Sequence, residues 1–388
     1  MIKEVDFLFI EELLSEEEKI IRDTTRKFVE REVLPIIEDH YDKGTFPTDL
    51  IPKIAQLGLL GITTPPEYGG AGASYFSYGL ACQELEWCDS GLRSFVSVQN
   101  SLCMYPIYTY GSEEQKKKYL PKMCTGEIIG CFGLTEPDAG SDPASMRTTA
   151  KKVEGGWVLN GNKIWITNAP IAHLAVVWAK TEEGVRGFIV ERGTPGFETP
   201  EIKKKMSLRF SPTGEIVLED CFVPDENLLP GSAVGMKAPF SCLTRARYGI
   251  AWGAVGAAAF CFAKALNYTK ERVQFDKPLA SFQLVQKDLA DMFTEITKCQ
   301  LLVYRLGRLF DEGRASHVHV SMAKKTCTMT AMEVARKARE LLGGNGISLE
   351  YHVIRHLCNM ETTTTYEGTD KIHSLIIGRY LTGMDAFR

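Results

Sequence analysis

The chain reads as an α+β protein of three parts, helical, then β, then helical, and three stretches of patterning predict that order. Apolar residues recur at helical spacing through residues 15–127; short β-rich runs separated by Gly, Pro and Asn fill residues 128–239; helical spacing returns from Ser241 onward. At 388 residues, with 44% hydrophobic and 24% charged, the chain can build two or three packed units. We place the boundaries at 1–128, 129–240 and 241–388.

Ser15 followed by Glu16-Glu17-Glu18 is a capping residue with an acidic first turn, and Ile20, Ile21, Phe28, Val29 and Val33 mark the apolar positions of an amphipathic helix. Phe46-Pro47-Thr48 and Pro65-Pro66-Glu67-Tyr68-Gly69-Gly70-Ala71-Gly72 are loops. In the middle part, Trp157-Val158-Leu159 and Lys163-Ile164-Trp165-Ile166-Thr167 flank Asn160-Gly161-Asn162, a hairpin-turn signal. Further strands are expected at Leu174-Ala175-Val176-Val177-Trp178, Gly187-Phe188-Ile189-Val190 and Glu215-Ile216-Val217-Leu218. No helical crossover separates these runs, so an antiparallel barrel or sandwich follows. Long helices are expected over 248–272, 282–312, 318–342 and 371–381, the first rich in Ala and Gly for close helix approach.

Composition removes several functions. A net charge of −4 offers no surplus to neutralise a phosphate backbone, so nucleic acid is not an expected partner. The start, Met1-Ile2-Lys3-Glu4-Val5-Asp6, places acids where a secretory or transit peptide needs cationic and apolar residues, and no uninterrupted apolar run reaches the length of a membrane span. A cytoplasmic protein without membrane insertion is the expectation. The eleven cysteines are scattered without a CxxC and are expected to be buried reduced thiols. His352 and His356 stand four apart but lack the intervening Glu of a metalloprotease helix, so no metal site is expected. Neither GxGxxG after a first strand nor GxxxxGK[ST] occurs, so a nucleotide cofactor would need another architecture.

Five segments carry chemistry. Cys131-Phe132-Gly133-Leu134-Thr135-Glu136-Pro137-Asp138-Ala139-Gly140-Ser141-Asp142 is rich in glycine and oxygen donors that can hold a heterocycle edge and a pyrophosphate. Trp165-Ile166-Thr167-Asn168 sets an aromatic face beside a hydroxyl, and Arg272-Val273-Gln274-Phe275 sets a cation, an amide and a ring at a helix end. Leu342-Gly343-Gly344-Asn345-Gly346 permits close backbone approach. Tyr366-Glu367-Gly368-Thr369 puts a carboxylate on a glycine-bearing loop. Each alone also fits a turn, a buried Trp, a surface helix end or a helix cap.

In this order the set resembles the acyl-CoA dehydrogenase family over essentially the whole chain. Gly91-Leu92-Arg93-Ser94, Ser97-Val98-Gln99, Pro106-Ile107-Tyr108, Gly111-Ser112-Glu113-Glu114-Gln115, Ala246-Arg247-Tyr248-Gly249-Ile250-Ala251-Trp252-Gly253, Tyr351-His352-Val353-Ile354-Arg355-His356 and Leu381-Thr382-Gly383 are similar to its glutaryl-CoA dehydrogenase branch. The resemblance implies an N-terminal α-helical domain, a middle antiparallel β-barrel and a C-terminal four-helix bundle, assembled as a homotetramer with FAD at subunit boundaries. It implies that Phe132, Leu134, Thr135, Gly140, Ser141, Trp165, Ile166 and Thr167 contact the flavin and its phosphates. Arg272, Gln274, Phe275, Gly343, Gly344 and Gly346 would reach a neighbouring subunit's cofactor, and Thr369 the flavin nucleotide.

The same resemblance makes Glu367 the base that takes the α-proton of an acyl thioester, with the thioester carbonyl held by the Glu367 NH and a flavin hydroxyl. Some relatives carry the base just before the residue matching Arg247; here Ala246 stands there and cannot serve. Arg93 matches the branch's carboxylate-binding arginine, with Ser94 and Ser97 as neighbouring donors. Glu86, two helical turns earlier and on the same face of an unbroken helix, matches an active-site acid, whereas Asp89 and Glu84 read as surface acids. Arg247, Tyr366 and Gly368 complete the expected substrate site, and Tyr366 stands where decarboxylating members have Tyr and others Val. The implied reaction is oxidation of glutaryl-CoA with decarboxylation to crotonyl-CoA, electrons passing to an electron-transferring flavoprotein. Phe95-Val96 replaces smaller residues and would reshape the acyl pocket, and Thr244 stands where many relatives have Asp or Asn on the CoA pantetheine. These departures keep a substituted succinyl-CoA such as benzylsuccinyl-CoA as a second substrate reading, beside glutaryl-CoA oxidation without decarboxylation and a non-catalytic scaffold, which would be colourless.

Overall fold

The computed structural model describes residues 5–387; the first four residues of the start read over Met1 to Asp6 lie outside them. The N-terminal part comprises α1 (Glu16–Phe28), α2 (Ile37–Lys43), α3 (Leu50–Gln56), α4 (Tyr75–Cys88), α5 (Ser90–Ser97), α6 (Tyr105–Tyr110) and α7 (Glu113–Cys124). α1 starts where the sequence places it: Ser15 accepts from the Glu18 amide while Glu18 reaches back to the Ser15 amide, a reciprocal cap. Ile20, expected on its apolar face, is instead exposed, because the buried stripe runs through Glu18, Arg22, Thr25 and Phe28. Glu18 can sit there because it pairs with Arg308.

The middle part is a curled sheet of β1 (Gly130–Gly133), β2 (Thr149–Val153), β3 (Gly156–Thr167), β4 (Leu174–Thr181), β5 (Gly184–Glu191), β6 (Phe197–Glu198) and β7 (Thr213–Pro224). Its order is β1-β4-β2-β3-β7-β6, with β5 on β4. Two contacts, β1 with β4 and β2 with β4, are parallel: the β2–β3 hairpin lies between β1 and β4 in the chain, and β3 between β2 and β4, so strands make the crossovers and no helical one is needed. Asn160-Gly161-Asn162 is not a turn: β3 runs through it, pairing with β7 on both sides of a bulge, and Asn160 bonds Asp220 on that partner. The actual turn follows Val153, at Glu154-Gly155.

The C-terminal part holds α8 (Lys237–Glu271), a two-stranded hairpin of β8 (Val273–Gln274) and β9 (Lys277–Pro278), α9 (Gln283–Asp311), α10 (His317–Leu341), α11 (Val353–Thr363) and α12 (Asp370–Thr382). α8 begins eleven residues before the expected start, since Pro239 falls in its first turn, where proline is tolerated. By length and composition α8 could cross a membrane, contrary to the sequence expectation, but 83% of its most apolar window is buried inside the protein. It packs between α4 and α10 and carries much of the core that joins the two helical parts. All eleven cysteines are free, ten of them buried.

Candidate active site

The stretch 364–369 links α11 to α12. Its turn is closed by the Tyr366 amide donating to Thr362 O (2.8 Å) and the Asp370 amide to Thr364 O (3.2 Å), and Thr369 caps α12 by accepting from the Ile372 amide. Glu367 lies between at φ +53°, a left-handed conformation that costs a residue with a Cβ roughly 1–2 kcal/mol. Gly368 follows at φ +98°, and a Cβ there would meet His373 Nε2 at 3.0 Å and Arg247 Nη2 at 3.3 Å. Arg247 Nε, from α8, donates to the Glu367 carbonyl at 2.6 Å. Lys324 Nζ, from α10, donates to the carbonyls of Tyr366 (3.0 Å) and Gly368 (2.8 Å).

Arg93 approaches the loop from α5. The helix carrying Glu86 is broken, since Asp89 is extended at φ −159° and starts α5 as its cap, yet Arg93 Nε still donates to Glu86 Oε2 at 2.5 Å. Both side chains are buried, and Gly253 of α8 makes room for Glu86, because a Cβ there would fall 2.0 Å from its oxygen. A terminal nitrogen of Arg93 donates to the Tyr366 hydroxyl. Its other donors have no hydrogen-bond partner among the described residues, and a guanidinium carries five. Ser94 is buried beside it, and Ser97 accepts from the Tyr78 hydroxyl at 3.1 Å.

Two acids read as surface residues are core residues. Asp89 is fully buried, pairs with Arg355 at 2.5 Å and accepts from Asn359, so it ties the start of α5 to α11 and hence to the Glu367 loop. Its position directly before Ser-Gly was a helix-cap signal that would have revealed it. Glu84 is buried against Arg26 at 2.5 Å. Phe95 and Val96 are fully buried, Phe95 against Phe46, so they build core and not acyl pocket. Thr244 donates to its own helix at Phe240 O.

Glu367 is half-buried as a residue, but its Oε2 is shut off from solvent and has no hydrogen-bond partner. Loss of hydration pushes its carboxyl up to about 7, although Arg93, Arg247 and Lys324 all pull the other way. Burial likewise pulls Lys324 down to about 7 and His373 down to about 3, so His373 is neutral. A carboxylate here that served as a base would titrate near neutrality. We expect log kcat/KM to fall with a slope of about one per pH unit below pH 7. A pH-rate series in which that limb lies near pH 4.5 would show a hydrated carboxyl instead.

The other segments fall in two groups. Phe132 and Leu134 are buried at the exit of β1; Leu134 O and Glu136 accept from buried Lys163, and Glu136 accepts also from the Arg147 and Thr148 amides. Burial pulls Lys163 down to about 8, but hydrogen bonds hold Glu136 near 2, so the pair stays ionised and rigidifies the backbone around Thr135. Beyond it Gly140 has nothing within 4 Å of where a Cβ would stand, and Ser141 is exposed. Trp165 is left-handed at φ +62° and 58% exposed, next to half-buried Thr167, while the Ile166 side chain lies in the β core and leaves only its backbone for a ligand.

The second group sits at one end of the helical part. Arg272 ends α8, Gln274 is exposed on the β8–β9 hairpin, and Phe275 at its turn is 87% exposed. Gly343 and Gly344 are open, whereas Gly346 is pressed on Arg339 O; Asn345 donates to Tyr268 OH and holds this loop beside the end of α8. An indole held outward by a strained backbone, a hydroxyl beside it and open glycines fit a planar heterocycle with a pyrophosphate. No hydrogen bond or ring contact links Trp165 to Phe275 among the described residues, so the chain presents the two groups separately.

A carboxyl raised to about 7 beside buried arginines suits an acid–base enzyme with a water-poor site. The family models agree: the N-terminal, middle and C-terminal domains of acyl-CoA dehydrogenase match residues 15–127, 131–221 and 234–382. An acyl-CoA dehydrogenase of Bacillus subtilis (strain 168) is 38% identical over 95% of this chain and 99% of its own length. The crystal structure of a glutaryl-CoA dehydrogenase from Mycobacterium smegmatis is 51% identical with a TM-score of 0.97, and covers 99% of both chains. A second from that organism, in complex with FADH2, is 48% identical at the same TM-score and coverage. The chain belongs to the acyl-CoA dehydrogenase family, the flavin-dependent oxidoreductases that use FAD.

Proposed function

We propose that the protein oxidises glutaryl-CoA and decarboxylates the product to crotonyl-CoA and CO2. The observation that carries this is a buried guanidinium with unused donors beside the base: Arg93, anchored by Glu86 and touching Tyr366. A purely apolar acyl chain would leave those donors desolvated, at a cost of about 1–3 kcal/mol, whereas a distal carboxylate satisfies them.

When bound, FAD supplies the acceptor for the β-hydride. Phe132, Leu134, Thr135, Gly140, Ser141, Trp165, Ile166, Thr167 and Thr369 would hold it, with Arg272, Gln274, Phe275, Gly343, Gly344 and Gly346 contributed by a neighbouring copy in a homotetramer. The exposure of Phe275 and Trp165 in a single chain supports that division. Glu367 takes the α-proton while the cations around it favour its ionised form. In the second step the bond from Cγ to the carboxylate breaks, CO2 leaves, the electron pair enters a dienolate, and the proton on Glu367 returns to Cγ. Arg93 opposes this step in proportion to its grip. Tyr366 occupies one of its donors, which weakens the grip and supports the decarboxylating reading over the alternative that stops at glutaconyl-CoA. An electron-transferring flavoprotein as oxidant and a cytoplasmic location belong to the same proposal.

Mass spectrometry of the products formed from glutaryl-CoA with an artificial acceptor tests it. Crotonyl-CoA with equimolar CO2 is expected. Accumulation of glutaconyl-CoA would remove the decarboxylation, and faster turnover of benzylsuccinyl-CoA would move the substrate.

A further inference from the structure

Lys324 was not visible as a site residue in the sequence, where a lysine inside α10 reads as a solvated position. In the fold it is fully buried, and it faces charged or titratable groups from four directions. Arg247 comes from α8, Arg93 from α5, Tyr366 and Glu367 from the loop, and Asp370 with His373 from α12. A lysine among two arginines is placed against its charge, so what it touches must account for its presence.

It touches carbonyls. Lys324 Nζ donates to Tyr366 O and Gly368 O, the two that flank the base, and Arg247 Nε takes the one between, on Glu367 itself. We propose that Lys324 is a positioning residue: together with Arg247 it grips three consecutive peptide carbonyls and so keeps Glu367 in the left-handed backbone conformation that sets the direction of its carboxylate. A left-handed residue followed by a glycine at φ +98° has little local preference for that shape. Besides its turn bonds the loop is tied only through side chains, by Arg93 on the Tyr366 hydroxyl, by the Thr364 and Thr365 hydroxyls on Glu361 O, and by the Thr369 cap, and none of these holds the Glu367 peptide. Lys325, next on α10, binds Asp370 at 2.6 Å and fixes the start of α12, so the clamp closes on a loop anchored at both ends. Burial favours a neutral Lys324, which still donates to a carbonyl; the clamp therefore does not depend on the ammonium charge.

The inference rests on Glu367 as the base, and its test separates the two. Lys324→Met removes the donors, and Lys324→Gln keeps an amide able to reach one carbonyl. Both are purified with FAD and compared with the wild-type holoenzyme by hydrogen–deuterium exchange, by kcat and KM, and by melting. We expect faster deuterium uptake confined to peptides covering residues 361–372, kcat lowered about 100-fold in Lys324→Met with KM within threefold, and an intermediate Lys324→Gln. Unchanged uptake with kcat within threefold of wild type would overturn the proposal. So would loss of flavin and of cooperative melting in both variants, which would make Lys324 a residue of the core alone. If instead the wild type fails to turn over glutaryl-CoA, the substrate reading falls while the exchange result still reports on the clamp.

Discussion

Glu367→Gln is expected to bind FAD and purify yellow, yet to lose kcat by about 10³–10⁴-fold, the range that a positioned general base contributes. The amide fills the same space, and Arg247 still holds the residue through its backbone carbonyl, so the loop geometry is retained. Only the proposed proton acceptor is removed. Stability should move the other way. The carboxyl is raised from its ordinary value to about 7, so it favours the fold below about pH 4.5, and that contribution disappears as pH rises through 7. A glutamine has no such loss. Allowing for the partial exposure of the residue, the variant should gain about 1–3 kcal/mol on wild type at pH 8 and nothing at pH 4. Melting at the two pH values reads this out. Normal turnover in the variant would remove Glu367 from its role, and a stability difference independent of pH would show that the wild-type carboxylate is hydrated.

Arg93→Met should be the more damaging variant to the fold. It leaves Glu86 fully buried without its counter-ion, and breaking one side of a buried pair costs about 3–5 kcal/mol. On the proposed function it also deprives a distal substrate carboxylate of its partner. We expect kcat/KM for glutaryl-CoA to fall at least about 10³-fold, and that for butyryl-CoA, which has no such carboxylate, to fall by less than tenfold. The two effects separate in the double variant Glu86→Gln/Arg93→Met, where no charge is stranded: stability should return in large part, and glutaryl-CoA activity should not. Should the double variant retain a preference for glutaryl-CoA over butyryl-CoA, the carboxylate is recognised elsewhere and Arg93 serves packing.

The sequence was most legible where its chemistry is local. Ser15, read as a capping residue from the acidic turn that follows it, forms a reciprocal cap with Glu18. Where a residue's role depends on what closes over it, local reading misled. Asn160-Gly161-Asn162 has the composition of a turn, but β7 lies alongside and a bulge absorbs the same residues. Glu84 and Asp89 have the composition of a wet helix end, but Arg26 and Arg355 arrive from 58 and 266 positions away to bury them as pairs. The unbroken helix that would place Glu86 and Arg93 on one face is absent, since α4 ends at Cys88 and α5 begins at Ser90, yet the two side chains meet as an ion pair across the break.

By itself, then, the sequence determined the helical, β, helical order, the cap at Ser15, and the cast of groups able to do the chemistry, because backbone preference and side-chain functionality belong to a residue and its near neighbours. Only the tertiary structure decided which of those groups are dry. The Glu367 carboxyl is raised to near neutrality, Arg93 is a buried cation with donors to spare, and Lys324 is a buried amine on two loop carbonyls, because α5, α8, α10 and α12 converge on one loop. Desolvation sums over every atom that happens to surround a group, and most of those atoms come from distant parts of the chain.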